Sequence, residues 1–281
     1  MIIMNLHGML GNQLFQYAYA MQLASEYDEK VIINTQFLPI GGNRIQEIGL
    51  EADYRRIKNI AYYLCLLHEK MASHAGRWLN VFFETQRKMK KLPKRLPRRC
   101  YMNGYWQGVP YVEKVIDSLV ADLRKQLSSM GSEACRALAA KMCTESNSVM
   151  LHVRRGDYIS NKGARKLYYK IPMSYYEEAV KQLEGMVGKV TVYVFTNDKS
   201  WVIENLKLEA DVYIVDCDEH DYETLMLMAS CSHSIIANST LSWWAAQINS
   251  NAKKHVFAPK QWFSDDATNP HDLYPCEWIK I

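Results

Sequence analysis

No apolar run in the 281-residue chain approaches the roughly 18 residues needed to cross a bilayer, and its start carries no basic stretch followed by an apolar one. We therefore expect neither a membrane span nor a secretory leader. Seven cysteines (65, 100, 135, 143, 217, 231 and 276) include no CxxC pair and no spacing with histidine that would build a zinc site. An odd, scattered set predicts reduced thiols in a cytoplasmic protein, several of them in its core. There is no GxGxxG after a strand, no GxxxxGK(S/T), no HExxH and no GxSxG. Their absence removes the main support for a dinucleotide-binding, P-loop, zinc-protease or serine-hydrolase reading. Only 13 glycines and 8 prolines in a chain that is 48% hydrophobic and 23% charged exclude a collagen-like, low-complexity or disordered protein.

The charge is unevenly placed. Of the net +4, eight positive charges with no acid fall at Arg87, Lys88, Lys90, Lys91, Lys94, Arg95, Arg98 and Arg99, so the remaining residues are net −4. A protein that coats nucleic acid spreads basic residues over a binding face, so nucleic acid is not an expected partner. Pro93 and Pro97 interrupt the segment, which reads as an exposed loop or helix end. It suits docking near an anionic membrane surface or a lipid-linked acceptor, at about 1 kcal/mol per basic residue close to such a surface. A polyanion-binding module without catalysis, acting through 87–99, is the reading of a different class.

The length favours two domains. Ile2 to Leu6 reads as a strand, Gly8 to Gly11 as a loop, Leu14, Phe15, Ala18, Met21 and Leu23 as a helix, and Val31 to Ile33 as a second strand, an early βαβ unit. Residues 36 to 105 are weakly patterned, apart from a helical look at Ala61 to Leu67. Val112, Val115, Ile116, Leu119, Leu123 and Leu127 mark an amphipathic helix and Ala134 to Met142 another, with a boundary near Ser146 to Ser148 that gives domains 1–147 and 148–281. Thereafter strands at 149–153, 190–195, 212–215, 234–237 and 255–258 alternate with helices near 174–184, 199–206, 222–230 and 240–249. Such alternation predicts an α/β fold whose parallel sheet is covered on both faces. Ligands of these sheets bind at the carboxyl ends of the strands, here 152–157, 196–198, 216–221 and 238–240.

At the first of these ends, strand alternation puts His152 and Arg154 on one face, opposite Val149, Leu151 and Val153. A fixed guanidinium there can bind a phosphate through two hydrogen bonds, and Gly156 permits a turn that returns Asp157 to its side. An Arg–Asp ion pair capping the strand is the competing reading. Asn238, Ser239 and Thr240 precede a helix bearing Trp243 and Trp244. Ser or Thr at that place is an ordinary N-cap, and the same geometry offers backbone N–H groups to a diphosphate. The tryptophans read mainly as packing. The loop from Gly8 to Gln13 reads as a tight strand-to-helix turn or a ligand loop, and the acidic run from Asp216 to Asp221 as a solvated loop or a hard-cation site.

Five segments carry a resemblance. GMLGNQLFQYA at 8–18, GYWQ at 104–107, HVRRGDY at 152–158, FTND at 195–198 and NSTLSWWAAQIN at 238–249 together resemble the bacterial α-1,2-fucosyltransferases of glycosyltransferase family 11. The resemblance implies two Rossmann-like domains facing a cleft, a variant of the glycosyltransferase B-type fold, with GDP-fucose held mainly by the C-terminal domain. It implies an inverting, metal-independent transfer of L-fucose from GDP-β-L-fucose to the 2-hydroxyl of a terminal β-galactoside, without a cofactor. The acceptor would be a galactose-terminated oligosaccharide or a lipid-linked glycan, met in the cytoplasm or on the inner face of the membrane. Transfer with another linkage or from another GDP-sugar is the alternative within the enzymes.

The resemblance also implies residue roles. His152, Arg154 and Arg155 fall where the donor diphosphate and nucleotide are held, with Arg154 and Arg155 stabilising the charge that grows on the β-phosphate. Ser239 and Thr240 would hold the same diphosphate, Asn238 would shape their loop, and Asn197 and Asp198 would join the donor site. Related sequences often carry an acidic residue at the place of Thr224, so guanine recognition would have to shift to Glu223. Met9 stands where glycine is common. For the general base Asp157 is the first candidate, with His7 and Asp198 as alternatives, and Asn12 and Gln13 are expected to meet acceptor hydroxyls.

Overall fold

A computed structural model describes residues 1–58, 80–84, 92–156, 158, 161–216, 220–265 and 272–281. The helical look at Ala61 to Leu67 lies outside them. The chain divides into two compact units, Met1–Asp122 and Leu123–Ile281.

In the first unit, β1 (Ile2–Asn5) leads through α1 (Leu10–Tyr27) to β2 (Val31–Asn34), α2 (Arg44–Glu47) and β3 (Tyr54–Arg55), followed by β4 (Val81–Phe83) and β5 (Cys100–Asn103). Their order is β3-β2-β1-β5-β4 with every pairing parallel. The last three strands are two to four residues long, too short for alternation to show in sequence. Helix α1 is buried on most of its circumference, including Gln13, Gln16 and Gln22. Each buried amide needs partners. Gln22, for example, donates to Pro110 O and accepts from the N–H of Lys114.

The chain continues through α3 (Ile116–Ser128) and α4 (Glu133–Thr144) into β6 (Ser148–Val153), α5 (Lys162–Leu167), α6 (Met173–Val187), β7 (Thr191–Thr196), α7 (Lys199–Asn205) and β8 (Asp211–Ile214). It then forms α8 (Asp221–Ala229), β9 (His233–Ile235), α9 (Thr240–Ile248), β10 (Val256–Ala258) and β11 (Ile279–Lys280). The sheet order is β11-β10-β9-β6-β7-β8, again all parallel. This is the doubly wound arrangement: the chain runs outward from β6 to β8, then returns to β9 beside β6 and runs out the other way. The expected α/β class with two Rossmann-like sheets is therefore the one observed. The second sheet starts at Ser148, where the sequence places its boundary, but the second compact unit starts at Leu123. Helix α4 packs with α8 of that unit, an allegiance that helix periodicity does not encode.

All six residues of β6 are buried, as expected of a central parallel strand. Val149, Leu151 and Val153 pack on Tyr175, Tyr176, Ala179, Val180 and Leu183 of α6. Trp243 and Trp244 are wholly buried, 5.1 Å apart at 73°, and the indole of Trp243 donates to Leu273 O. They are core.

Candidate active site

In the second unit's sheet the connections leave in opposite directions between β6 and β9; in the first unit's sheet β1 lies beside β5, which follows the edge strand β4 in the chain. Crevices for ligands open at such points, beyond the carboxyl ends of the strands. The motif residues collect at both.

At the β6/β9 point, Arg154 leaves the strand with its guanidinium carbon 5.9 Å from the ring centroid of Tyr158. The Tyr158 hydroxyl donates to Asn238 O at 2.8 Å, which ties the arm after β6 to the loop after β9. Asn238 is buried, and its amide donates to Tyr169 O and Trp262 O. Ser239 occupies the N-cap of α9, yet its side chain makes no capping bond and no acid stands in the first turn. Ser239 thus does not act as a side-chain cap, and the start of α9 presents the positive end of its dipole at the strand edge. A guanidinium beside a helix start can hold a diphosphate and stabilise charge growing on its leaving oxygen. His152 is 3% exposed within β6.

The two arginines expected to act together diverge. Arg155 lies 4.1 Å over the ring of Trp201, and its Nε is 3.4 Å from Asp198 Oδ2, an ion pair that lacks hydrogen-bond alignment. Asn197 Oδ1 accepts from the N–H groups of Arg155 (2.9 Å) and Gly156 (3.0 Å). Asp198 also caps α7 through Trp201 N. Asn197 and Asp198 thus brace the arm after β6. Gly156 is required by close approach, because a Cβ there would sit 2.9 Å from Asn197 O. Glu223 is buried and accepts from the N–H of Ser132 at 2.6 Å, holding the turn between α3 and α4. Asp157 lies outside the described residues.

At the β1/β5 point, His7 Nε2 lies 2.8 Å from Asn103 Oδ1. The imidazole stacks on Phe37 at 4.9 Å, and Tyr105 approaches its edge. Burial holds its pKa below the usual 6.5, and the Asn103 bond offsets part of that shift. Gln16 accepts from His7 N and donates to Gly104 O, bridging the two strand ends. Gly8 has φ +75°, and a Cβ there would collide with Asn12. Asn12 accepts from Gln107, which joins the first and second motifs. Gln13 differs from expectation. It is fully buried, donates to Gly8 O and Gly42 O, and accepts from the N–H groups of Arg44 and Ile45, so a sugar hydroxyl has no access to it.

Sequence reasoning missed Glu84 and Asn103. Glu84 Oε2 accepts from Tyr105 N (2.7 Å) and Trp106 N (3.1 Å), and a Cβ on Gly104 would overlap the Glu84 side chain. The available signals were an acid directly after the apolar triplet Val81-Phe82-Phe83 and an amide directly before the GYWQ motif.

Among the described residues, no three of His, Cys, Asp and Glu gather as a metal site would. Asp216 pairs with Lys199, while 217–219 fall outside the description. No described helix is long and apolar enough to cross a membrane. Of the basic segment, Lys94, Arg95, Arg98 and Arg99 are exposed on a non-helical stretch, as expected, and 87–91 lie outside the described residues.

The family model for glycosyl transferase family 11 matches residues 1–281. The O-antigen biosynthesis glycosyltransferase WbnK of Escherichia coli is 30% identical over 98% of this chain and 99% of its own length. An alpha-1,2-colitosyltransferase of Escherichia coli is 24% identical over 100% of this chain and 98% of its own. Among solved structures, the fucosyltransferase NodZ from Bradyrhizobium aligns with a TM-score of 0.49 at 12% identity, over 87% of this chain and 90% of that one. On the match along its whole length and the relative at 30% identity, the chain is a glycosyltransferase and belongs to glycosyltransferase family 11.

Proposed function

We propose that the chain is a galactoside α-1,2-fucosyltransferase, moving L-fucose from GDP-β-L-fucose to the 2-hydroxyl of a terminal β-galactoside with inversion. The observation that carries this reading is the β6/β9 switch point, where Arg154 and the start of α9 are joined through Tyr158 and Asn238. The donor diphosphate sits there, held by Arg154, by Ser239 and Thr240, and by the first-turn amides of α9, with His152 on the same strand end. As the bond from the fucose anomeric carbon to the phosphate oxygen breaks, negative charge moves onto the β-phosphate. Arg154 meets that charge in a preorganised position, in the place other transferases give to a metal ion. Arg155, Asn197 and Asp198 keep the arm in place. Fucose and the α-1,2 linkage are supported by the five ordered motifs and by the linkage in one relative's name. The acceptor is a galactose-terminated oligosaccharide or a lipid-linked glycan of the surface-polysaccharide kind, in keeping with the O-antigen relative. The exposed cations at 94–99 favour work at the cytoplasmic face of an anionic membrane.

Purified protein incubated with GDP-fucose and lactose, lacto-N-biose or N-acetyllactosamine in EDTA tests the reading. Fucosylated product is expected with at least one acceptor, and its absence from all three overturns the proposal. A second reading, favoured by the colitosyltransferase relative, is α-1,2 transfer of another sugar from the same kind of donor. Turnover with a colitosyl donor but none with GDP-fucose would select it.

A further inference from the structure

The pairing of β6 with β7 ends at Val153, and Arg154, Arg155, Gly156 and Tyr158 lie beyond it, each half-buried. This arm meets an aromatic surface. The ring of Tyr158 lies 4.2 Å from that of Tyr168 with the two planes 1° apart, and Tyr168 in turn contacts Phe263 at 5.6 Å and 38°. Tyr168 closes α5, and an isolated antiparallel bridge joins it to Phe263 in the segment after β10. Tyr169 N donates to Trp262 O (3.2 Å), Ser264 N to Leu167 O (3.0 Å) and the Ser264 hydroxyl to Tyr168 O (2.8 Å). Trp262 and Phe263 are core residues, so the backbone of Tyr168 is pinned to a buried segment. We infer that Tyr168 is a positioning residue of the diphosphate site: its ring, set by the bridge to Phe263, fixes the plane of Tyr158 and through it the place of the Arg154 guanidinium.

The inference rests on the donor site proposed above and names what holds that site in shape. The outer torsion of a tyrosine is soft on its own, and parallel contact with a fixed ring narrows it. The ring so held is the one the Arg154 guanidinium carbon approaches at 5.9 Å, and its hydroxyl is the one bonded to Asn238 O. The bridge serves the other half of the site as well. Tyr169 O and Trp262 O, one on each of its two segments, accept from the buried amide of Asn238, which precedes the start of α9. Arg154 and the helix start are thus both referred to one bridge, and every residue of the arrangement belongs to the second unit. Since Arg154 is the group assigned to the β-phosphate, loss of the Tyr168 ring should fall on that phosphate more than on the rest of the nucleotide.

The test is calorimetric titration of GDP and of GMP into wild type, Tyr168→Leu, Tyr168→Phe, Tyr158→Leu and the Tyr158→Leu/Tyr168→Leu double variant, with a thermal melt of each. Tyr168→Leu keeps apolar bulk but removes the flat face, and is expected to weaken GDP by about three- to tenfold and GMP by less than about twofold. Tyr168→Phe restores the face and should bind GDP within about twofold of wild type. Because Tyr168 acts through Tyr158, Tyr168→Leu should add little in the Tyr158→Leu background, whereas a general loosening of the fold would add in full. Tyr168→Met, a longer side chain without a ring face, gives the same comparison if Tyr168→Leu fails to fold. Equal losses for GDP and GMP, an undiminished effect in the Tyr158→Leu background, or unchanged GDP affinity in Tyr168→Leu would overturn the inference while the transferase reading stands. The titrations need no turnover, so they decide the matter whichever sugar is moved. A wild type that binds no GDP would overturn the donor-site reading, and this inference with it.

Discussion

Tyr158 donates its hydroxyl to the carbonyl of Asn238 at 2.8 Å, so the arm that follows β6 is fastened to the loop that starts α9. One hydrogen bond thereby sets the spacing between Arg154, which lies over the tyrosine ring, and the helix start across the switch point. Removing it while keeping the ring separates spacing from stacking. Tyr158→Phe is expected to weaken GDP binding by about three- to tenfold, the scale of one net hydrogen bond, with little loss of thermal stability. Isothermal titration with GDP measures it, and unchanged affinity would show that the arm holds its place by other means.

Arg154→Ala is expected to lower kcat by about 10²- to 10³-fold, the scale for losing one preorganised partner of the developing charge. Arg155→Ala should act through the arm that Asp198 and Trp201 support, with a smaller effect that falls on donor KM more than on kcat. Steady-state kinetics of the two variants compare them directly. Equal losses in kcat would put both guanidinium groups on the phosphate.

Much of this was readable in the sequence, and the reason is physical. Strand β6 is buried on both faces, so it stands out as a continuous apolar run, and the residues that follow such runs lie at the ligand edge of the sheet. That placed Arg154 after β6 and Ser239 and Thr240 at the start of the helix after β9, where the structure has them. Strands β3, β4 and β5 are too brief to print a period, so the β1/β5 point and Asn103 stayed hidden. Gln13 misled because an amide in a glycine-bearing loop looks the same in sequence whether it faces a sugar or clamps backbone. Its four bonds to Gly8, Gly42, Arg44 and Ile45 exist only once the loop and α2 are folded together. Asn197 and Glu223 followed the same rule, since both spend their oxygens on main-chain N–H groups distant in sequence.

Glu223 gives a discriminating case. Its carboxylate holds the N–H of Ser132, so Glu223→Ala should destabilise the fold by about 1.5–3 kcal/mol, the scale of a hydrogen bond to a charged group. GDP affinity of the folded variant should stay within about threefold. Denaturant melts and GDP titration check both parts. A normal melt with a large loss of GDP-over-ADP preference would instead assign Glu223 to guanine.

His233 predicts an acid weakness in the second unit. Its Nδ1 accepts from His255 N at 3.0 Å, and burial, with His255 beside it, pushes its pKa down to about 4 from 6.5. The folded state binds this proton less readily than the unfolded chain does. Stability is therefore full above about pH 6.5 and falls as the pH drops toward 4, by on the order of 3 kcal/mol if this group acts alone. Chemical denaturation across that range measures the slope, and His233→Gln should flatten it.

The exposed cations predict binding to anionic lipid. Charge reversal at Arg98 and Arg99 should reduce co-sedimentation with phosphatidylserine vesicles and leave turnover on soluble acceptors unchanged. Co-sedimentation that ignores both lipid charge and the reversal would dispose of membrane docking.

The most direct test of the central claim is the linkage in the product made from GDP-fucose and a β-galactoside, read by NMR. The account predicts a fucose anomeric proton with α geometry, correlated to carbon 2 of galactose. Retained β geometry, a bond to any other galactose carbon, or GDP-fucose left unconsumed would contradict it.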